Sequence, residues 1–279
     1  MVSVTTGLQT ARRPRAFVGV TGHGAEDYLQ RMVSNDVAAL DPGESCDALL
    51  LTPKARVIAP LRVVRRGAED FLLLTEPELG EIVRSELLRF RFAARVEIEL
   101  EEHRSYLLVG PGAQAPAEVL VVPNPDYGVP ALEIVGGSEP PGAAQLGDHE
   151  LEELRVRAGT PRYGREIDDR ILPAEAGLVE RAVSFAKGCY PGQEPVARLY
   201  YRGHANRGLR VLVIEGDDLP AYDTPVLSGG KDVGRVTSAV QAVEGVLALA
   251  YVRVEVPLEA ELQVGSARAR ALHLPSARP

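Results

Sequence analysis

Lysine is scarce in this chain: only Lys54, Lys187 and Lys231 stand beside 28 arginines in 279 residues. Biased codon usage explains so many arginines. A lysine kept against that bias is the more informative residue, because the two side chains differ in geometry, hydration and ease of deprotonation. Cysteine is rarer still. Cys46 and Cys189 are the only two, too few for a disulfide scaffold or for the four thiolates that usually hold an iron–sulfur cluster. The histidines (His23, His103, His149, His204 and His273) fit no zinc-site spacing and propose no catalytic triad. No uninterrupted apolar run approaches the roughly 18–20 residues of a membrane span. The opening MVSVTTGLQTARRPRAFVGV has no apolar core of signal-peptide length, so the cytoplasm is the expected compartment. A surplus of base is missing too. With 39 acidic and 31 basic residues the net charge is −8, which argues against direct nucleic-acid binding.

What is present is globular. Hydrophobic residues make up 45% and charged residues 25% of the chain, and its length implies two packing units sharing an interface. Residues 16–20 read as a strand, and Ala25, Tyr28, Leu29, Met32 and Val33 recur at helical spacing. CDALLLT (46–52) and RVIAPLRVV (56–64) form a hairpin across Pro53-Lys54-Ala55, and FLLLT (71–75) follows. A helix over 77–90 places Leu79, Ile82, Val83, Leu87 and Phe90 on one face. Val96, Ile98 and Leu100 alternate with charges, and Tyr106–Val109 is a further strand.

The Gly-, Pro- and Ala-rich stretch 110–145 reads as a looping excursion carrying two strands, 119–122 and 131–135. A helix is expected from Asp148 to Ala158 with Leu151 and Leu154 inward, then irregular residues to 190 and a short helix opening near Gly192. From 208 to 274 the chain becomes short strands parted by tight glycine turns, the pattern of a small closed β-barrel. The expected division is 1–203 and 204–279.

Between 181 and 210 the cations Arg181, Lys187, Arg198, Arg202, Arg207 and Arg210 face one acid, Glu194, for a local charge of +5. Such a region in an acidic chain suits a small anion or an acidic partner. Within it lies Lys187-Gly188-Cys189-Tyr190-Pro191-Gly192-Gln193-Glu194. A lysine two positions from Cys189, and a helix opening after Gly192, both favour its thiolate. Cys46, inside an apolar strand pattern, reads as a small packing residue.

The run AVSFAKGCYPGQE, continued by VARLYYRG, closely resembles the signature of the YgfZ-type folate-binding proteins, relatives of the glycine-cleavage aminomethyltransferase. SNDV (34–37), LLTPKARV (50–57), LRVRAGTPRYG (154–164), LPAEAGL (172–178) and VGRVTSAVQAVEGVLALAYVR (233–253) resemble that family in the same order. The resemblance implies an α+β fold. Mixed sheets and helices form a folate-binding region around a central channel, and a C-terminal β-barrel follows. It implies a tetrahydrofolate-binding factor, acting as a monomer, that helps assemble or repair iron–sulfur clusters in client enzymes or with carrier proteins, and that meets any cluster only transiently. The functional residues it implies are Lys187 and Cys189, with Gly188, Tyr190, Gly192, Gln193 and Glu194 as their loop.

Two departures separate this chain from the aminomethyltransferases. Ala59-Pro60 stands where those enzymes carry adjacent aspartates, and Arg157 where they carry a glutamate able to pair with a pterin. Aminomethyl or other one-carbon transfer is therefore the less favoured function. Glu175 is the candidate acid for the pterin, and Arg198 the candidate cation for the folate glutamate tail.

Overall fold

The computed structural model describes residues 7–92, 94–113 and 119–273. Along the chain run β1 (Gln9–Arg12), β2 (Ala16–Thr21), α1 (Ala25–Met32), β3 (Ser45–Leu51), β4 (Val57–Gly67) and β5 (Asp70–Thr75). A 3-10 turn at Pro77–Leu79 leads into α2 (Gly80–Arg89), followed by β6 (Glu97–Glu101), β7 (Ser105–Val109), β8 (Leu120–Pro123), β9 (Ala131–Val135) and β10 (Ala144–Gln145). Then come α3 (Asp148–Arg157), α4 (Val179–Ala182) and α5 (Gln193–Arg202). The last strands are β11 (Arg207–Ile214), β12 (Pro225–Ser228), β13 (Lys231–Ala242), β14 (Gly245–Arg253), β15 (Leu262–Val264) and β16 (Ala267–Ala271).

The first sheet has the order β3-β4-β5-β2-β6. Its β3–β4 hairpin closes where Ala55 takes a left-handed φ of 57° and donates its N–H to Thr52 O at 2.9 Å. The register then pairs Leu49 with Pro60 and Leu50 with Ala59. Alternation splits the strand residues between two faces. Leu50, Leu61, Val63 and Leu73 pack under α1 and α2. Leu49, Leu51 and Val57 meet the 167–196 segment and Tyr251, while Leu72 and Leu74 meet Val122 and Val135 of the second sheet.

That second sheet has the order β10-β1-β7-β9-β8. The stretch 110–145 is therefore not an excursion: β8 and β9 extend a sheet whose other members include β1, some hundred residues earlier in the chain. The last six strands close into a barrel, β11-β14-β13-β12-β15-β16. Leu212 and Ile214 of β11 pack with its interior cluster, whereas Val211 and Val213 pack with Val156 of α3. β14 is apolar almost throughout because it is covered on both sides.

Two apolar residues of these patterns stay out of the core. Ile82 and Leu100 are 46% and 49% exposed. Within α2 successive residues are about 100° apart, so with Val83 and Leu87 facing the core Ile82 falls at the margin of that face and turns to solvent. β6 lies at the edge of its sheet, which leaves Leu100 half covered.

Candidate functional site

Where the two sheets, α3 and the 160–182 segment converge, they enclose a cavity of about 520 Å³. This is the size of a small-molecule site, for which roughly 300–1,000 Å³ is typical. Its apolar walls include Leu49 and Leu61 from the hairpin, Leu151 from α3, and Pro161, Ile167 and Leu178. The polar part is a chain of ion pairs. Arg13 Nη2 donates to Glu76 Oε1 at 2.7 Å, and Arg15 donates twice to Glu133 at 2.9 and 3.0 Å. Arg62 Nε donates to Asp47 Oδ1 at 3.0 Å, and Arg181 binds Asp47 Oδ2 at 2.9 Å and Asp126 Oδ1 at 2.6 Å. A second knot joins Arg155, Glu152, Arg162 and Glu166 on the barrel side.

Burial alone would raise the carboxyl pKa values, but the arginines override it. Glu133, fully buried, is held down at about 2 by Arg15, by Arg62 and by the Ser105 hydroxyl. Asp126 is held well below the usual carboxylate range by Arg62, Arg181 and Arg15. With these acids engaged, two guanidinium nitrogens are left over. Arg62 Nη1 and Arg13 Nε are buried without a hydrogen-bond partner, and Glu133 Oε2, at 3.7 Å from Arg62 Nη1, is too far to accept one. Arg62 is 5% exposed. An unpaired buried donor is costly, but these two atoms are closed off from the cavity; what the cavity meets is the combined charge of Arg13, Arg15, Arg62 and Arg181, which suits a ligand carrying acceptor oxygens.

None of the octet lines this cavity. Lys187 is buried, and its Nζ donates to Val33 O and Asn35 O, both at 2.7 Å, with the Tyr190 ring centroid 5.5 Å away. Its charge is felt by Asp36 and Cys46. The amine is thus committed to the segment after α1 and is not aimed at the neighbouring Cys189. Cys189 itself is exposed. Gly188 is exposed, and Tyr190 is buried with its hydroxyl unpartnered and pushed up to about 12 by burial. Gly192 caps α5 with φ 82°, Gln193 begins that helix, and Glu194 is exposed in its first turn, where a negative charge suits the helix dipole.

Arg198 is exposed on α5 and does not reach the cavity; of the six cations at 181–210, only Arg181 lines it. Glu175 is turned to the barrel, accepting from Arg207 Nε at 2.9 Å and from Leu172 N at 3.0 Å. Arg157 does not line the cavity either. It pairs with Glu153 and Glu244, so its charge has no direct bearing on what the cavity binds. Pro60 does form part of the wall, beside fully buried Ala59. Cys46 packs against the first core, and burial pushes its thiol up to about 12. Among the described residues no group of three His, Cys, Asp or Glu side chains could hold a metal ion.

The chain matches the family model of the CAF17 C-terminal beta-barrel domain over residues 206–277. The structure superimposes on the glycine cleavage system aminomethyltransferase T of Bartonella henselae with a TM-score of 0.83 and 19% identity, covering 96% of this chain and 85% of that one. The tRNA-modifying protein YgfZ of Klebsiella pneumoniae is 26% identical over 264 residues, 83% of this chain and 80% of its own. This chain has the YgfZ-type aminomethyltransferase-like fold. An aminomethyltransferase of Rubrobacter xylanophilus is 27% identical over 277 residues, 84% of this chain and 73% of its own. The YgfZ-type signature octet opens α5, outside the cavity. The cavity wall is instead assembled from single residues on the β1–β2 connection, the hairpin strands, the turn at Asp126 and the segment at Arg181. Their only trace in the sequence is an arginine or aspartate interrupting an apolar strand, as at Asp47 and Arg62.

The burial of Lys187 has a measurable consequence. Desolvation lowers its amine from 10.5 to about 8, against the raising effects of Asp36 and Cys46. Between those values the unfolded chain holds a proton that the folded chain has released, so the lysine's contribution makes stability rise from pH 8 to 10.5. Urea titrations at pH 7.5 and 10 should show this gain in wild type relative to Lys187→Met. The buried tyrosines titrate in both proteins and cancel in the difference.

Proposed function

We propose that this protein is a tetrahydrofolate-binding accessory factor for the assembly or repair of iron–sulfur clusters in client enzymes. The observation that carries the reading is the central cavity of an aminomethyltransferase-like fold walled by the guanidinium groups of Arg13, Arg15, Arg62 and Arg181. A reduced folate brings acceptor oxygens and carboxylates for Arg13, Arg62 and Arg181. It also brings flat rings for the walls of Leu49, Leu61, Leu151 and Ile167. When bound, tetrahydrofolate supplies a reduced carrier of one-carbon units.

The exposed Cys189 offers one sulfur to an iron–sulfur cluster as cargo, and since four ligands are usual the others come from the client or from small thiols. Lys187 acts as the anchor of that loop, not as the activator of the thiol. An effect on tRNA, of the kind the relatives' names describe, would run through a client enzyme. The chain's charge of −8 gives it little hold on phosphates.

A one-carbon transferase is the alternative reading. A general base works best with a pKa near the operating pH, and Asp126 and Glu133 are held far below it by their arginines. The side chains of Ala59 and Pro60 offer no acceptor. Amine-dependent conversion of tetrahydrofolate to a methylene form would favour that alternative.

Calorimetry with tetrahydrofolate is expected to show binding by wild type and at least a tenfold loss for Arg62→Lys, about 1.4 kcal/mol. Arg62→Lys keeps the charge but lacks the fork. In a strain lacking the protein, Cys189→Ala should bind the folate but fail to restore cluster-enzyme activity. Wild-type restoration by Cys189→Ala, or no heat of binding, overturns the reading.

A further inference from the structure

Cys189 is strung between two anchors. Upstream, Lys187 Nζ holds Val33 O and Asn35 O. Downstream, Gly192 lies against the β3–β4 turn so closely that a Cβ there would fall 2.6 Å from Thr52 O and 3.1 Å from Ala55 Cα. Between them Tyr190 is buried in the core, but Gly188 and Cys189 stand clear: Gly188 has nothing within 4 Å of a would-be Cβ, and Cys189 is exposed.

The upstream anchor is built into the cavity wall. Ser34 Oγ donates to Ala182 O at 2.6 Å, and Ser184 N donates to Ser34 O at 3.0 Å. Asn35 Nδ2 donates to Asp47 O at 2.6 Å and to Arg181 O at 3.3 Å. Asp47, Arg181 and Ala182 all line the cavity. Arg181 divides its guanidinium between Asp47 and Asp126, so an acceptor oxygen drawn to it must alter that sharing. The change passes from these side chains to their own backbones, whose carbonyls the Asn35 side chain bonds, and it reaches Lys187 through the Asn35 carbonyl. Such a contiguous path of short backbone segments and hydrogen bonds is a physical route for coupling.

We propose that Lys187 is a positioning residue that couples the central cavity to Cys189, so that a ligand held at Arg181 stiffens the 187–192 loop and slows reaction of the Cys189 thiol. Ordering at one site lowers the freedom of whatever is tied to it. This inference rests on the reading of the cavity as a tetrahydrofolate site. Lys187 acts through the backbone it holds and touches no cavity ligand.

The test is the rate of Cys189 alkylation by iodoacetamide, followed by peptide mass with and without tetrahydrofolate at saturation as measured by calorimetry. Cys46, half-buried with its thiol raised to about 12, serves as the internal reference. In wild type the ligand should slow Cys189 at least threefold. In Asn35→Ala, which leaves the Lys187 bonds but cuts the side-chain link to the wall, tetrahydrofolate should still bind and its effect should fall below 1.5-fold. Lys187→Met should also lose the effect and Lys187→Arg should recover part of it, a pattern that a merely looser fold would not give.

Binding without slowing in wild type, or slowing that persists in Asn35→Ala, overturns the coupling while leaving the folate site intact. Absence of binding overturns both.

Discussion

Arg155→Met is expected to lower the free energy of unfolding by about 3–5 kcal/mol in urea denaturation, the usual cost of removing one member of a buried ion pair. Arg155 is the point at which three parts of the chain meet. From α3 it donates to Glu152 through Nε and Nη2, to Thr160 O at 2.6 Å and Glu166 Oε2 at 3.1 Å through Nη1, and to Ser238 Oγ at 2.9 Å through Nη2. Glu166 is fully buried and also accepts from Ser238 Oγ at 2.6 Å and from Arg162 N at 3.0 Å. Ser238 belongs to barrel strand β13, so the knot fastens the barrel to α3 and to the 160–167 loop. Methionine fills much of the same volume but leaves the Glu166 charge in a dry site with one compensating cation fewer. The desolvation cost, not the lost contact, dominates. For that reason Arg155→Met combined with Glu166→Leu should recover most of the loss, because replacing both members of a buried pair with apolar groups is often neutral. A double variant as unstable as the single one would mean that packing at this junction, and not charge, sets the cost.

The same knot shows what a linear reading of the chain can see. Patterns of local period were legible. They include the hairpin at 46–64, the apolar face of α1, the helix opening at Gly192 and the short strands of the barrel, each written in spacing and turn residues. Features that depend on distant pairing were not. β1 carries no strand signal of its own, and 110–145 reads as an excursion, because their sheet joins Gln9–Arg12 to residues 105–109 and 144–145. Nothing local marks such partners. The margin of an apolar helix face was not legible either, as at Ile82, about 100° around α2 from Val83.

The site divides in the same manner. The octet around Cys189 is contiguous and therefore visible. The cavity wall is a set of lone charged residues from segments up to 169 residues apart, Arg12 to Arg181. Arg198, the candidate cation among the arginines of 181–210, is carried outward by α5, whereas α4 itself holds Arg181 against Asp47 and Asp126.

Glu133→Gln carries the second large effect, and its signature is a dependence on pH. Glu133 is fully buried on β9 and accepts from Arg15, from Ser105 Oγ at 2.7 Å and from Asn124 Nδ2 at 2.9 Å. Burial would raise its carboxyl, but Arg15 and Arg62 reverse that and hold it at about 2, against 4.5 in the unfolded chain. A carboxyl depressed on folding adds stability that is complete above 4.5 and disappears as pH falls towards 2, roughly 3 kcal/mol for this group. At pH 7 the glutamine variant should be about 3–5 kcal/mol less stable, since it leaves Arg15 and Arg62 short of an anion in a buried place. As pH falls from 4.5 to 2 the wild type loses its advantage and the variant does not, so the two stability curves should converge. Asp126 and Glu76, also held low by arginines, titrate in both proteins and set the shared part of the acid slope. Curves that stay parallel down to pH 2 would show that Glu133 serves the fold as a hydrogen-bond acceptor alone, and that its charge contributes nothing to holding Arg15 and Arg62 in the wall.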